Sequence, residues 1–159
     1  MLEMTFGFYL SSHEDVLNGL RAESEEAAQT SRQLRKPTIL IVDDQHMIAD
    51  TTSMVLNGAG FRAQCAYGGQ SALEIALKLK PDYLLTDIVM PGMNGVDLAI
   101  SVRNRLPATV IVLISGQAGI TDLIRQAKDV GYEFNLLAKP IHPEKLLEYL
   151  KRTAPHLWL

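Results

Sequence analysis

The sequence predicts a doubly wound α/β sandwich, one parallel sheet with helices on both faces. Three observations support this. From Pro37 onward, short apolar runs alternate with longer segments of helical periodicity. Each apolar run reads as a buried strand, and strands alternating with helices argue for a parallel sheet covered on both sides. No internal repeat or low-complexity tract competes with this pattern. Right-handed crossovers then leave few topologies open.

The first strand is placed at 38–43, where Thr38-Ile39-Leu40-Ile41-Val42 runs into Asp43-Asp44. A helix over 46–58 follows, with Met47, Ile48, Met54 and Val55 as its apolar stripe and Gly58 or Gly60 as its stop. The second strand, 61–66, alternates through Phe61-Arg62-Ala63-Gln64-Cys65-Ala66, and Cys65 reads as a buried structural thiol. Leu73, Ile75, Ala76, Leu77 and Leu79 give a helix over 69–80 one broad apolar side, and Pro81 ends it. Strands at 82–86, 109–114 and 134–138 alternate with helices at 94–105, 119–130 and 143–152. The last helix opens on Pro143-Glu144, a favoured start, and buries Leu146, Leu147 and Leu150.

Composition changes near Pro37. Residues 1–36 hold an aromatic cluster, Phe6, Phe8 and Tyr9, then a polar stretch. Val16, Leu17, Leu20, Ala27 and Ala28 line one side of that stretch, with Ser12 as the N-cap. The stripe is thin and Gly19 weakens it, so 1–36 is expected to be a weakly helical or disordered extension. Residues 37–153 form the domain. Residues 154–159 are a short tail, whose Leu157-Trp158-Leu159 is expected to fold back onto it. The 159 residues carry a net charge of −3, without the basic footprint of a nucleic-acid binder. The single cysteine forms no internal disulfide and fits a reducing compartment. No apolar run nears the roughly 20 residues that span a bilayer, and Glu3 sits where a signal peptide wants positive charge. A cytoplasmic protein is expected.

Function is written where the strands end. Asp43-Asp44, Asp87, Ser115 and Lys139 each close an apolar run, and open parallel sheets bind ligands beyond the carboxyl ends of their strands. Crowded carboxylates raise one another's pKa unless a cation neutralises them. Mg2+ suits such a site, because it is hard, takes oxygen ligands and binds through one or two carboxylates plus a phosphate. No neighbouring Cys/His pair offers a zinc site. One aspartate can then attack a phosphoryl donor, with Lys139 and the Ser115 hydroxyl on the phosphoryl oxygens. Taken alone, Asp43-Asp44 would read as caps of the helix that begins near His46. The joint pattern outweighs that.

With these motifs in this order, residues 37–153 resemble a response-regulator receiver domain of two-component signalling. The resemblance rests on the acidic pair, Asp87-Ile88-Val89-Met90-Pro91-Gly92-Met93-Asn94-Gly95, Ser115-Gly116 and Lys139-Pro140. It implies a flavodoxin-like fold with sheet order 2-1-3-4-5. It also implies phosphoryl transfer to Asp87 from a sensor histidine kinase or a histidine phosphotransfer protein. Mg2+ would lie on Asp44, Asp87 and the Val89 carbonyl, with Asp43 acting largely through water, and Ser115 and Lys139 would hold the phosphoryl group. Such chemistry is self-limited: one phosphoryl group is taken and later hydrolysed, so no conventional enzyme is expected. Leu136 is a departure, since receivers carry Tyr or Phe three residues before the lysine. Phe134 lies two residues earlier, on the same side of the strand, and a weaker or differently transmitted response is expected. Val89 cannot hold a hydrolytic water, whereas Gln117 can.

Only 154–159 follows the last helix, so the sequence is expected to be a stand-alone receiver. It would signal by contact with a downstream protein target, without direct nucleic-acid contact and with room for a homodimer. The alternative is a receiver fold used as a phosphorylation-independent interaction scaffold. An aspartate-based phosphatase is disfavoured, because no second acid stands two residues after Asp87. His46 is expected to face solvent from the first turn of its helix, and His142 and His156 to lie on the surface. His13 has no surrounding helical bundle to make it a phosphorylatable histidine.

Overall fold

Five strands form one parallel sheet in a computed structural model of the chain. They are β1 (Thr38–Val42), β2 (Arg62–Ala66), β3 (Tyr83–Asp87), β4 (Val110–Ser115) and β5 (Asn135–Ala138). Their order, β2-β1-β3-β4-β5, is the expected one. The structure describes residues 13–33, 35–116 and 120–158. The readings of Phe6, Phe8, Tyr9, Ser12, Gln117 and Leu159 fall outside them.

The helices are α1 (His13–Gln33), α2 (His46–Gly58), α3 (Gly69–Leu79), α4 (Gly95–Arg105), α5 (Thr121–Asp129) and α6 (Pro143–Thr153). The chain divides into two compact units, Met1–Arg35 and Lys36–Leu159. In the first, α1 is a continuous 21-residue helix. Ala, Glu, Gln and Arg are strong helix formers, and they sustain it despite the thin stripe; Val16, Leu17 and Leu20 stay exposed.

In the second unit, β1 and β3 are buried at every position. Successive residues face opposite sides of the sheet, and each side has its own core. Leu40 and Val42 pack with α3, α4 and α5 residues such as Ala72, Leu98 and Ala127. Ile39 and Ile41 pack with Ala49 and Leu56 of α2 and Leu146 and Leu150 of α6. Continuous apolar runs are what strands with two buried faces require.

The stripe expected on α2 is corrected. Met47 and Met54 are 82% and 75% exposed, and the fully buried residues of this helix are Ala49 and Leu56. Small Ala49 lets the helix sit close to the sheet, which turns the two methionines outward. Cys65 is half-buried on edge strand β2, its Sγ donating to the Ala49 carbonyl at 3.3 Å.

The tail folds back. A 3-10 turn at Pro155–Leu157 brings Leu157 and Trp158 onto the α2–α6 side of the core. The Trp158 ring meets Phe61 edge-on at 4.6 Å, and its Nε1 donates to the Tyr83 hydroxyl at 3.2 Å. That hydroxyl in turn donates to the Leu150 carbonyl at 2.9 Å. This closes the end of the sheet at which β3 starts.

Candidate functional site

The other end of β3 carries Asp87. Register sets the site: Asp87 pairs with Ile114, and Ser115 with Ala138, so Ser115 is one residue further along the adjoining strand. The Lys139 amide donates to the Ser115 carbonyl at 2.8 Å, extending the β4–β5 pairing to the lysine. On the other side, the Asp43 amide donates to the Ala66 carbonyl at 3.2 Å and carries β1–β2 pairing past Val42. Four strand ends thus meet at one edge, as their sequence positions predicted.

Carboxylate oxygens of Asp43, Asp44 and Asp87 all lie within 4.8 Å of one another. Lys139 Nζ binds Asp43 Oδ2 at 2.8 Å and lies 3.5 Å from Asp87 Oδ2. The other oxygen of Asp43 accepts from the Gln45 amide at 2.9 Å, so both its oxygens are engaged. Asp87 Oδ1 accepts from the Ile88 amide at 3.0 Å. Asp43, Asp87 and Ser115 are buried, Asp44 is half-buried, and Val89 is 41% exposed.

Burial first, and then the Asp43 charge, push the Asp87 carboxyl above its ordinary value; the Lys139 charge opposes the shift without cancelling it. Burial works against the Lys139 ammonium, but the Asp43 hydrogen bond and the nearby carboxylates outweigh it and hold its pKa up. One ammonium among three close carboxylates leaves negative charge in excess. A divalent cation with hard oxygen ligands fits that donor set.

The loop after β3 is shaped by close approach. A Cβ on Gly95 would be driven into the Asp87 carbonyl oxygen and lie 2.8 Å from its carbonyl carbon. Asn94 caps α4, its side chain accepting from the Val96 and Asp97 amides at 2.9 Å each. Gly92, at φ 73°, makes the turn between. Gly116 leaves the Lys139 stem uncovered, since a Cβ there would reach Lys139 Cβ at 3.4 Å.

Sequence reasoning missed one group at the rim. The ring of His46, exposed as expected, stacks on Tyr67 at 3.9 Å, and the Tyr67 hydroxyl donates to Asp50 at 2.7 Å. The only signal was an aromatic residue just after the end of β2. Away from the rim, Leu136 is 46% exposed on β5. Phe134 is half-buried, stacked on Tyr132 at 6.2 Å and covered by Arg103 at 5.8 Å. His142 and His156 are exposed. Among the described residues no helix is long and apolar enough to cross a membrane.

The comparisons agree with this geometry. The family profile described as the response regulator receiver domain matches residues 39–151. Sporulation initiation phosphotransferase F of Bacillus subtilis is 32% identical over 117 residues, 74% of this chain and 93% of that protein. The DNA-binding response regulator MtrA of Mycolicibacterium paratuberculosis is 30% identical over 69% of this chain, which spans only 47% of that longer protein. Among solved structures, chemotaxis protein CheY4 of Vibrio cholerae superposes with a TM-score of 0.65 at 31% identity, covering 74% of this chain and 98% of that one.

Proposed function

This chain belongs to the response regulator receiver domain family, and we propose that it accepts a phosphoryl group on Asp87. The donor would be a phosphohistidine of a sensor histidine kinase or a histidine phosphotransfer protein. The observation that carries this is Lys139, whose ammonium reaches both Asp43 and Asp87 within a cluster of three carboxylates at the sheet edge. An Asp87 oxygen attacks phosphorus, the P–N bond breaks, and the imidazole leaves with the electron pair and takes a proton. Lys139 exchanges part of its contact with Asp87 for a phosphoryl oxygen, and the Ser115 hydroxyl donates to another. Asp44, Asp87 and the Val89 carbonyl would hold Mg2+, with Asp43 acting through water because its oxygens are already engaged. When bound, the cation neutralises charge on the transferring group. Hydrolysis of the aspartyl-phosphate ends the signal, so the chain turns over no external substrate. Its output would pass by contact with a protein target.

Phosphoramidate with Mg2+ tests this. Intact mass should rise by about 80 Da, the transferred phosphoryl group, in wild type but not in Asp87→Asn or with chelator. No adduct from phosphoramidate or any histidine-phosphorylated donor would sink the proposal and leave the interaction scaffold, which exposed Leu136 would serve.

A further inference from the structure

We propose that Tyr67 is a positioning residue that holds Asp44 in place for a divalent cation. This rests on the reading of Asp43, Asp44 and Asp87 as a cation site. The three acids are not fixed equally. Asp43 is gripped by Lys139 and the Gln45 amide, and Asp87 by the Ile88 amide and Lys139. Among the described residues, Asp44 makes no side-chain hydrogen bond or ion pair. Its carboxylate is therefore placed by the backbone of the short turn between β1 and α2.

That turn is tied on its β2 side. The Asp43 amide pairs with the Ala66 carbonyl at 3.2 Å, and Tyr67 follows at once. Its ring lies on His46 at 3.9 Å with the planes 21° apart. Its hydroxyl donates at 2.7 Å to Asp50, which lies one turn beyond His46 on the same helix face. One side chain thus grips the first turn of α2 twice, by stacking and by a charge-assisted hydrogen bond. If the grip goes, the turn carrying Asp44 keeps the Asp43–Ala66 pairing, the Gln45 and Lys139 bonds to Asp43 and the Ile48 and Ala49 amides on the Gln45 carbonyl, none of which holds the Asp44 side chain itself. Groups that orient metal ligands from outside the coordination sphere act in this way. Tyr67 is itself 41% exposed, so replacing it opens no cavity in the core.

Mg2+ titration calorimetry on the full chain, without any phosphodonor, tests this well below the unfolding temperature. Tyr67→Ala should weaken Mg2+ binding about tenfold. Tyr67→Phe, which keeps the stack, should stay closer to wild type. His46→Ala should reproduce much of the Tyr67→Ala loss, and the double variant should lose less than the two separate effects combined. Phosphoramidate phosphorylation of Tyr67→Ala should recover at saturating Mg2+. Unchanged Mg2+ affinity with only a lowered urea midpoint would overturn the proposal. So would a defect confined to transfer from a phosphohistidine protein, which would make the ring a docking contact instead. If wild type binds no Mg2+, the cation site falls and the proposal falls with it. If wild type binds Mg2+ and Tyr67→Ala binds equally well, the positioning role alone fails.

Discussion

Removing Trp158 should destabilise the domain while sparing the chemistry at Asp87. Its ring meets Phe61 edge-on at 4.6 Å, donates to Tyr83 at 3.2 Å and has Lys151 over it at 5.0 Å. An aromatic pair contributes about 1 kcal/mol beyond area burial, a neutral hydrogen bond about 1 kcal/mol and an exposed cation–π contact about 0.5 kcal/mol. Half-burial of the ring contributes about 1 kcal/mol more. Tyr83 still donates to the Leu150 carbonyl after the change, so no buried donor is orphaned. Trp158→Ala should therefore cost about 3.5 kcal/mol, toward the low end of buried Trp truncations. That lowers the melting temperature by roughly 10 °C for a domain of this size. Urea unfolding followed by circular dichroism measures it, since the variant lacks the only tryptophan. Phosphoramidate phosphorylation should be unchanged, because Trp158 and Asp87 lie at opposite ends of β3. A loss below about 0.5 kcal/mol, the scale of a neutral surface substitution, would refute the packing argument; a large fall in phosphorylation rate in still-folded protein would refute the separation.

Other expectations concern the site and its supports. Gly95→Ala forces a Cβ onto the Asp87 carbonyl; it should cost about 1–3 kcal/mol through overpacking and slow phosphorylation even where the variant remains folded. Asn94→Ala removes the α4 cap and should lower stability by about 1 kcal/mol in urea titrations. Burial raises the Asp87 pKa, so its ionised form costs stability, and that cost is absent below the unfolded value of about 3.9 and complete above the folded value. Asp87→Asn in chelator should accordingly be more stable than wild type at neutral pH, the gap closing as pH falls through that window; a less stable variant would show the sign to be wrong. Burial also raises the Cys65 thiol, with the Ser53 hydrogen bond opposing and Asp50 reinforcing the shift. Its alkylation rate should rise with pH along a curve displaced above that of an unstructured thiol, and a matching or lower midpoint would contradict the burial seen here.

Much of the fold was legible because β1, β3 and β4 are buried on both faces and so read as unbroken apolar runs. The site was legible for a related reason: a polar residue at the end of such a run has few places to go except the sheet edge. The orientation of α2 was not. Met47 and Met54 were read as its core face because they are large and apolar, yet Ala49 sets the helix's approach to the sheet, and an alanine leaves little trace in a hydrophobic pattern. Nor could spacing reveal that Tyr67 meets His46, since the contact joins the start of α2 to the residue just past β2 and follows neither a helical nor a strand period.

The seating of α2 has a consequence for the order in which the domain comes apart. Two residues of this helix are fully buried, Ala49 and Leu56, against five in α4. Local opening is cheapest where buried apolar contact is least. The α2 amides should therefore exchange with solvent deuterium ahead of those of α4. Because Asp44 enters this helix, an early-opening segment adjoins the acidic cluster, and a cation bound there would slow its exchange. The rigid flank of the cluster would then be the one that carries Asp87, and the yielding flank the one that carries Asp44.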